Sequence, residues 1–204
     1  MAIRTIYIVD DDDPVRDSLR ALLGVRSDLL IQCYRSGNAF LERADELDPG
    51  VLLLDYHMPG TNGLDVLGAI DRSKFMTIML TGHASVGLAV EVIRAGAVDF
   101  QEKPYEPDSL LRTIDAAFER LEQGRVVANR VQAAQAKIDR LSSREKAVLE
   151  GLIEGYPNKI IAHELEISPR TVEIHRSKVM EKLEVRSLSE ALRISFAAGL
   201  IPVD

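Results

Sequence analysis

Residues 52–67 read LLLDYHMPGTNGLDVL, an unbroken apolar run that ends on Asp55 and gives way to a helical pattern from Gly63. An apolar strand of this kind, with no polar alternation, is buried on both faces, as the strands of parallel sheets are. The same unit recurs on either side. Strands are expected over 3–9, 29–34, 51–54, 77–80 and 97–100, and helices near 14–24, 37–46, 63–71, 84–95 and 106–121. Asp13 before Pro14, together with Ser36 and Ser85, has the chemistry of a helix start, and Gly24 and Gly96 stand where helices should stop. Five βα repeats make a doubly wound α/β domain, which binds its ligands at the carboxyl ends of its strands.

Those strand ends carry the chemistry. Asp10 and Asp11 follow the first strand, Asp55 the third, Thr81 the fourth and Lys103 the fifth. In a parallel sheet these positions converge on one rim. Carboxylates gathered there repel one another and call for a cation, and an oxygen-only donor set suits Mg²⁺. Asp55 is then a candidate nucleophile that forms an acyl phosphate. Lys103 would neutralise phosphoryl charge and the Thr81 hydroxyl would hydrogen-bond a phosphoryl oxygen. Asp12 and Asp13 read as turn or cap residues. A Mg²⁺-dependent phosphatase with an aspartyl-phosphate intermediate is the rival, but such an enzyme needs a second Asp two residues after the nucleophile, where this chain has His57.

The second half has another character. Residues 122–140 carry Ala, Val, Gln and charges at loosely helical spacing, a partly helical linker, and from Leu141 onward every signal is helical. Four helices are expected near 143–154, 158–165, 169–183 and 187–198, with Ser142, Ser168 and Ser187 marking starts. Ile160, Ile161, Leu165, Ile167, Val172, Val179 and Leu183 form an apolar seam between two of them. Arg170, Glu173, Ile174, Ser177 and Lys178 fall on other faces of the later helix, as entry into a DNA major groove requires. A plain helical bundle with a solvated basic face would give the same pattern.

The net charge of −7 does not exclude nucleic acid, because it is unevenly placed. From Ile138 to Asp204 there are 10 basic and 11 acidic side chains, so −6 of the −7 lies in residues 1–137. Arg170 to Arg186 even holds 5 basic against 3 acidic residues. The single Cys33, set in an apolar run, excludes an intrachain disulfide and reads as a buried structural thiol. The N-terminus lacks signal-peptide form and no run has membrane-spanning length. A cytoplasmic protein with no membrane partner is expected.

The phrases IVDDDDPVR, LLLDYHMPGTNGLDVL, TIMLTGHAS and AGAVDFQEKPYE resemble the receiver domain of two-component response regulators, over residues 1–121. The resemblance implies a flavodoxin-like receiver in which Asp55 takes phosphate from a sensor histidine kinase. Asp10, Asp11, Asp55 and the backbone carbonyl of His57 would hold Mg²⁺. Thr81 and Phe100 would be the switch pair, Lys103 the phosphate-contacting lysine, and Pro104 would follow a cis peptide. LSSREKAVLEGLIEG, NKIIAHELEISPRTVEIHRSKVMEKL and VRSLSEAL resemble the four-helix LuxR/NarL-type output domain, here 141–204, and the whole is similar to the FixJ-like branch of that family. That resemblance implies Glu173, Ile174, Ser177 and Lys178 near the bases, Arg170, Arg176 and Lys182 on phosphates, and promoter DNA as the partner. Phosphorylation would then promote a homodimer, for which helix 84–95 and strand 97–100 next to the switch pair are the candidate face, and/or release of the output domain. RNA polymerase is a candidate further partner, and no enzymatic role is expected beyond self-phosphorylation from small donors and self-dephosphorylation. His175 is expected to hydrogen-bond within its domain rather than touch DNA.

Overall fold

The computed structural model describes residues 3–83 and 85–200; Ala84, the expected start of the helix 84–95, and the last four residues of the expected output domain lie outside them. The chain divides into two compact units, residues 1–124 and 125–204.

The first unit is built on a parallel sheet of five strands: β1 (Arg4–Val9), β2 (Leu29–Tyr34), β3 (Gly50–Asp55), β4 (Phe75–Thr81) and β5 (Asp99–Glu102). Their spatial order is β2-β1-β3-β4-β5. Between and after them run α1 (Asp13–Leu23), α2 (Gly37–Leu41), α3 (Gly63–Ala69), α4 (Val86–Arg94) and α5 (Pro107–Asp139). Successive side chains of a strand point to opposite faces, so each apolar run feeds two cores. Tyr7, Val9, Leu52, Leu54, Phe75 and Met79 meet Phe40 of α2, Val66 and Leu67 of α3 and Val92 of α4. Ile6, Ile8, Val51, Leu53, Ile78 and Leu80 meet Leu19 and Leu23 of α1 and Leu110, Ile114 and Phe118 of α5. This is the double winding expected from the sequence. Because β1 is flanked by β2 and β3, the winding reverses at the β1–β3 junction, where ligands of such sheets bind.

Several local expectations need correction. Asp12, not Asp13, is the N-cap of α1, and its side chain makes no capping bond; Asp13 is already helical. Ser36 and Ser85 do cap, accepting from the backbone N–H of Ala39 and Leu88. The expected helix 37–46 is α-helical only to Leu41, after which Arg43, Ala44 and Glu46 donate three residues back in tighter turns. Ala44 and Leu47 stay buried in those turns, so the apolar spacing that suggested a longer helix is satisfied without one. Cys33 is half-buried rather than buried, and packing against the α1 and α5 side pushes its thiol pKa up. The Lys103–Pro104 peptide is cis.

The segment 122–140 is not partly helical but continuous α-helix to Asp139, the C-terminal part of α5. Gly124 falls within it and its Cβ position is open, so neither packing nor backbone geometry interrupts the helix there. The second unit continues with α6 (Ser143–Ile153), α7 (Asn158–Glu164), α8 (Pro169–Leu183) and α9 (Leu188–Ala197). Ser142 and Glu145 form a complete capping box at α6, and Ser168 and Ser187 cap α8 and α9. The expected single seam is two clusters. Val172 packs with Val148, Leu152, Ile161 and Ala162, whereas Val179 and Leu183 pack with Ile138, Leu141, Leu149 and Ala191. Ile160, expected in the seam, is 44% exposed, because Ile161 beside it takes the buried face of the short α7.

Candidate functional site

Parallel pairing carries the polar strand ends to one place. Val9 stands beside Leu54, Asp55 beside Leu80 and Thr81 beside Glu102, so the residues at or just past these positions share the rim. Asp55 and Thr81 are themselves the last residues of β3 and β4, while Asp10 and Lys103 lie one position past β1 and β5. The loop after β3 is held tightly. Gly63 at the start of α3 donates to the Tyr56 carbonyl at 3.1 Å, and a Cβ there would come 2.5 Å from the Asp55 carbonyl oxygen, so only glycine fits.

Asp10 is 1% exposed and Asp55 5%. With the exposed Asp11 they place one carboxylate oxygen each within 4.8 Å of one another. Lys103 Nζ donates to Asp10 Oδ2 and to Asp55 Oδ1, both at 2.6 Å. Burial pushes the Asp55 pKa up, the bonded Lys103 opposes this, and Asp10 and Asp11 add to the rise. For Lys103, burial works against the charged form, but its bonds to Asp10 and Asp55 outweigh that and the pKa is raised. Three carboxylates face one ammonium, leaving two negative charges uncompensated. An oxygen-only cluster with that excess fits a hard divalent cation such as Mg²⁺.

The other expected pocket residues are placed differently. The Thr81 side chain is buried, and its hydroxyl accepts from His83 N–H at 3.2 Å, within its own loop. Phe100 is half-buried against the α2–α4 core, beside Met79 of β4. His57 is exposed, its ring edge-on to Tyr56 with centroids 4.6 Å apart. One pocket residue escaped the sequence reading altogether. Arg16 of α1 is buried and donates from Nη1 to the Asp10 carbonyl at 2.5 Å. Only its place in IVDDDDPVR, near the acidic run, could have pointed to it.

On α8, Arg170, Glu173, Ile174, Ser177 and Lys178 are exposed and Arg176 is half-buried. Glu173 and Arg176 border a cavity of about 520 Å³ shared with Tyr156 and Lys159. Lys182 is occupied otherwise than expected. Its Nζ donates to Glu145 Oε2 at 2.6 Å, and Glu145, buried in the capping box, is held down to about 2 by that bond and by Ser142 N–H. Its ammonium is therefore engaged by a partner within the domain, with the side chain still 37% exposed. His175 Nδ1 is buried without a hydrogen-bond partner among the described residues, so the intradomain bond expected of it is not formed through that atom.

A doubly wound sheet with an acidic pocket at its switch point, joined to a helical unit presenting a solvated helix, defines a receiver coupled to a DNA-binding output. Residues 6–115 match the response regulator receiver domain and residues 139–195 the bacterial regulatory proteins of the luxR family, so the chain belongs to the response regulators of that family. It is similar to the transcriptional regulatory protein FixJ of Rhizobium meliloti (strain 1021), 40% identical with 97% of this chain and 98% of that protein covered. It is also similar to the response regulator protein TodT of Pseudomonas putida, 39% identical over 93% of this chain and 84% of that one. Among solved structures, response regulator StyR matches with a TM-score of 0.80 at 31% identity, covering 96% of this chain and 99% of that one. Full-length FixJ from B. japonicum matches at 0.58 and 38%, covering 99% and 100%. The chain is thus a FixJ-like response regulator and a transcriptional regulator, not an enzyme in the ordinary sense. Among the described residues no helix is long and apolar enough to cross a membrane.

Proposed function

We propose that Asp55 accepts a phosphoryl group from a sensor histidine kinase and that the modified chain binds promoter DNA through α8. The observation that carries this is Lys103 bridging the buried Asp10 and Asp55 beside Asp11. In the transfer, an Asp55 carboxylate oxygen forms the new P–O bond as the P–N bond to the kinase histidine breaks, and the electron pair leaves with the imidazole nitrogen. Lys103 supplies a fixed positive charge to the developing phosphoryl oxygens. Mg²⁺, held by Asp11 and Asp55 with Asp10 and the His57 carbonyl, would supply the remaining charge neutralisation. The same pocket would accept phosphate from small donors and, with water as acceptor, lose it again.

The switch would run through Thr81 and Phe100. A dianionic phosphoryl group offers the Thr81 hydroxyl a stronger acceptor than its own loop, and Phe100 can turn into the space Thr81 leaves. The surface next to this change is α4 and β5, where Val86, Val90 and Ile93 are exposed. Phosphorylation would pair two chains there, or free the output helices. In this reading residues 1–121 are the receiver and residues 141–204 the output domain, and the connecting segment 122–140 is helical to Asp139. Glu173, Ile174, Ser177 and Lys178 would approach base edges, with Arg170 and Arg176 on phosphates. RNA polymerase is a further partner and the cytoplasm the site of action. Promoter binding measured with and without acetyl phosphate and Mg²⁺ tests this reading. Affinity should rise with the phosphoryl donor, and a donor-independent affinity would count against it.

A further inference from the structure

We propose that Arg16 is a positioning residue for the metal-binding pair Asp10–Asp11, and that Asp13 is retained as its counter-charge; this rests on the reading of the pocket given above. Arg16 is 5% exposed, unusual for a guanidinium. Nothing about seating α1 on the sheet requires it, since Leu19 and Leu23 do that with apolar contacts. A cation in the first turns of a helix also opposes the helix dipole. A buried charge placed against both preferences points to a bond that only it can make.

That bond is to the Asp10 carbonyl oxygen, 2.5 Å from Arg16 Nη1. A peptide group is planar, so gripping the carbonyl of Asp10 fixes the plane that also contains the nitrogen and Cα of Asp11. Arg16 thereby sets where the Asp11 carboxylate leaves the chain. The Asp10 side chain is locked from its other end: Oδ1 accepts from Asp12 N–H at 2.9 Å and Oδ2 from Lys103 Nζ at 2.6 Å. The loop needs these bonds because Asp12, the N-cap of α1, makes no side-chain capping bond. Asp13 completes the device. Its carboxylate pairs with Arg16 Nη2, and the exposed Arg35 lies 3.7 Å from the same oxygen. Of the four consecutive aspartates, two therefore face the pocket, one starts the helix and the last serves the guanidinium that aims the first two.

The test uses the full chain and two readouts: Mg²⁺ affinity by calorimetry, and hydrogen exchange at the amides of residues 11–13 in metal-free protein. Arg16→Met should weaken Mg²⁺ binding by about tenfold, the usual scale for losing a group that orients a ligand. It should also speed exchange at residues 11–13 while β1 and β3 exchange as in the wild type. Arg16→Lys, which can still donate to the Asp10 carbonyl, should recover part of the affinity, and Asp13→Ala should fall between. Wild-type affinity and loop exchange in Arg16→Met would overturn the proposal. Should that variant fail to fold, Asp13→Ala decides, because its side chain is 64% exposed and dispensable to the core; wild-type affinity there overturns it equally. A wild-type chain that takes up no Mg²⁺ would remove the reading of the pocket itself, which unaltered variants beside a Mg²⁺-binding wild type would not.

Discussion

At the scale of single residues, the pocket sets two opposed demands on Asp55. Burial and the neighbouring Asp10 and Asp11 raise its pKa, while Lys103, at 2.6 Å, favours the carboxylate needed for attack on phosphorus. A carboxyl whose folded pKa lies above its unfolded value binds a proton more tightly when folded. Its ionisation therefore costs stability as pH rises through the folded pKa, and that cost is absent at pH below both values. Asp55→Asn removes the nucleophile and this cost together. Intact-mass measurement after exposure to acetyl phosphate and Mg²⁺ should show no adduct in Asp55→Asn, and thermal unfolding near neutral pH should show it at least as stable as the wild type. An adduct of wild-type stoichiometry would place the acceptor elsewhere.

At the scale of elements, α8 is tied to α6 by a lysine that the sequence alone would place among candidate phosphate contacts. Lys182 near the end of α8 is joined to Glu145 at the start of α6, and Glu145 is also the reciprocal half of the Ser142 capping box. Losing Lys182 leaves a buried carboxylate with one partner fewer, which should cost about 1–3 kcal/mol. Lys182→Met should therefore lower the unfolding temperature of the output domain, whereas Lys178→Ala, on an exposed site, should leave it unchanged and affect DNA binding alone. The pH dependence has a definite sign. Glu145 is depressed to about 2, mainly by the Lys182 bond, so its contribution is fully present above the ordinary carboxylate value near 4.5 and is lost as pH falls towards 2. The stability gap between the wild type and Glu145→Gln should shrink across that window in parallel thermal melts. A gap independent of pH would mean that the bond, not the charge, is what matters.

At the scale of the whole molecule, an acidic protein has to bind a polyanion. The charge division permits it, since the −7 net charge falls almost entirely on residues 1–137. Each phosphate contact should contribute a slope of about −0.9 in the logarithmic dependence of affinity on salt. If Arg170 and Arg176 are the phosphate-facing cations of α8, one chain would make few such contacts and a pair twice as many. Phosphorylation that pairs chains through α4 and β5 should therefore steepen the salt dependence and require two half-sites. Ile93→Lys, which sets a charge on the exposed apolar face of α4, should abolish the steepening without touching the pocket. An unchanged slope on phosphorylation, with a single half-site bound as tightly as a pair, would favour release of the output helices instead.

Much of this was legible before any coordinates. Apolar runs ending on Asp10, Asp55, Thr81 and Lys103 identified a parallel sheet and its rim, because the strand period of two and the helix period of 3.6 are local properties that residue order alone reveals. Serines at 36, 85, 142, 168 and 187 announced helix starts for the same reason, a side chain bonding a backbone amide three residues on. What the order of residues could not decide was which partner a charged side chain takes. Lys182 and Glu145 are 37 positions apart, and Lys103 and Asp10 are 93. The place of Lys103 beside Asp10 and Asp55 follows from the sheet topology alone, whereas the partner of Lys182 depends on how two helices pack. Arg16 went unread because its acceptor is a backbone carbonyl, which no sequence distinguishes. The sequence by itself determined the order of the elements, the fold and the family; only the tertiary structure decided where some helices end and which charged side chains pair with one another, because that depends on distances and burial set by packing.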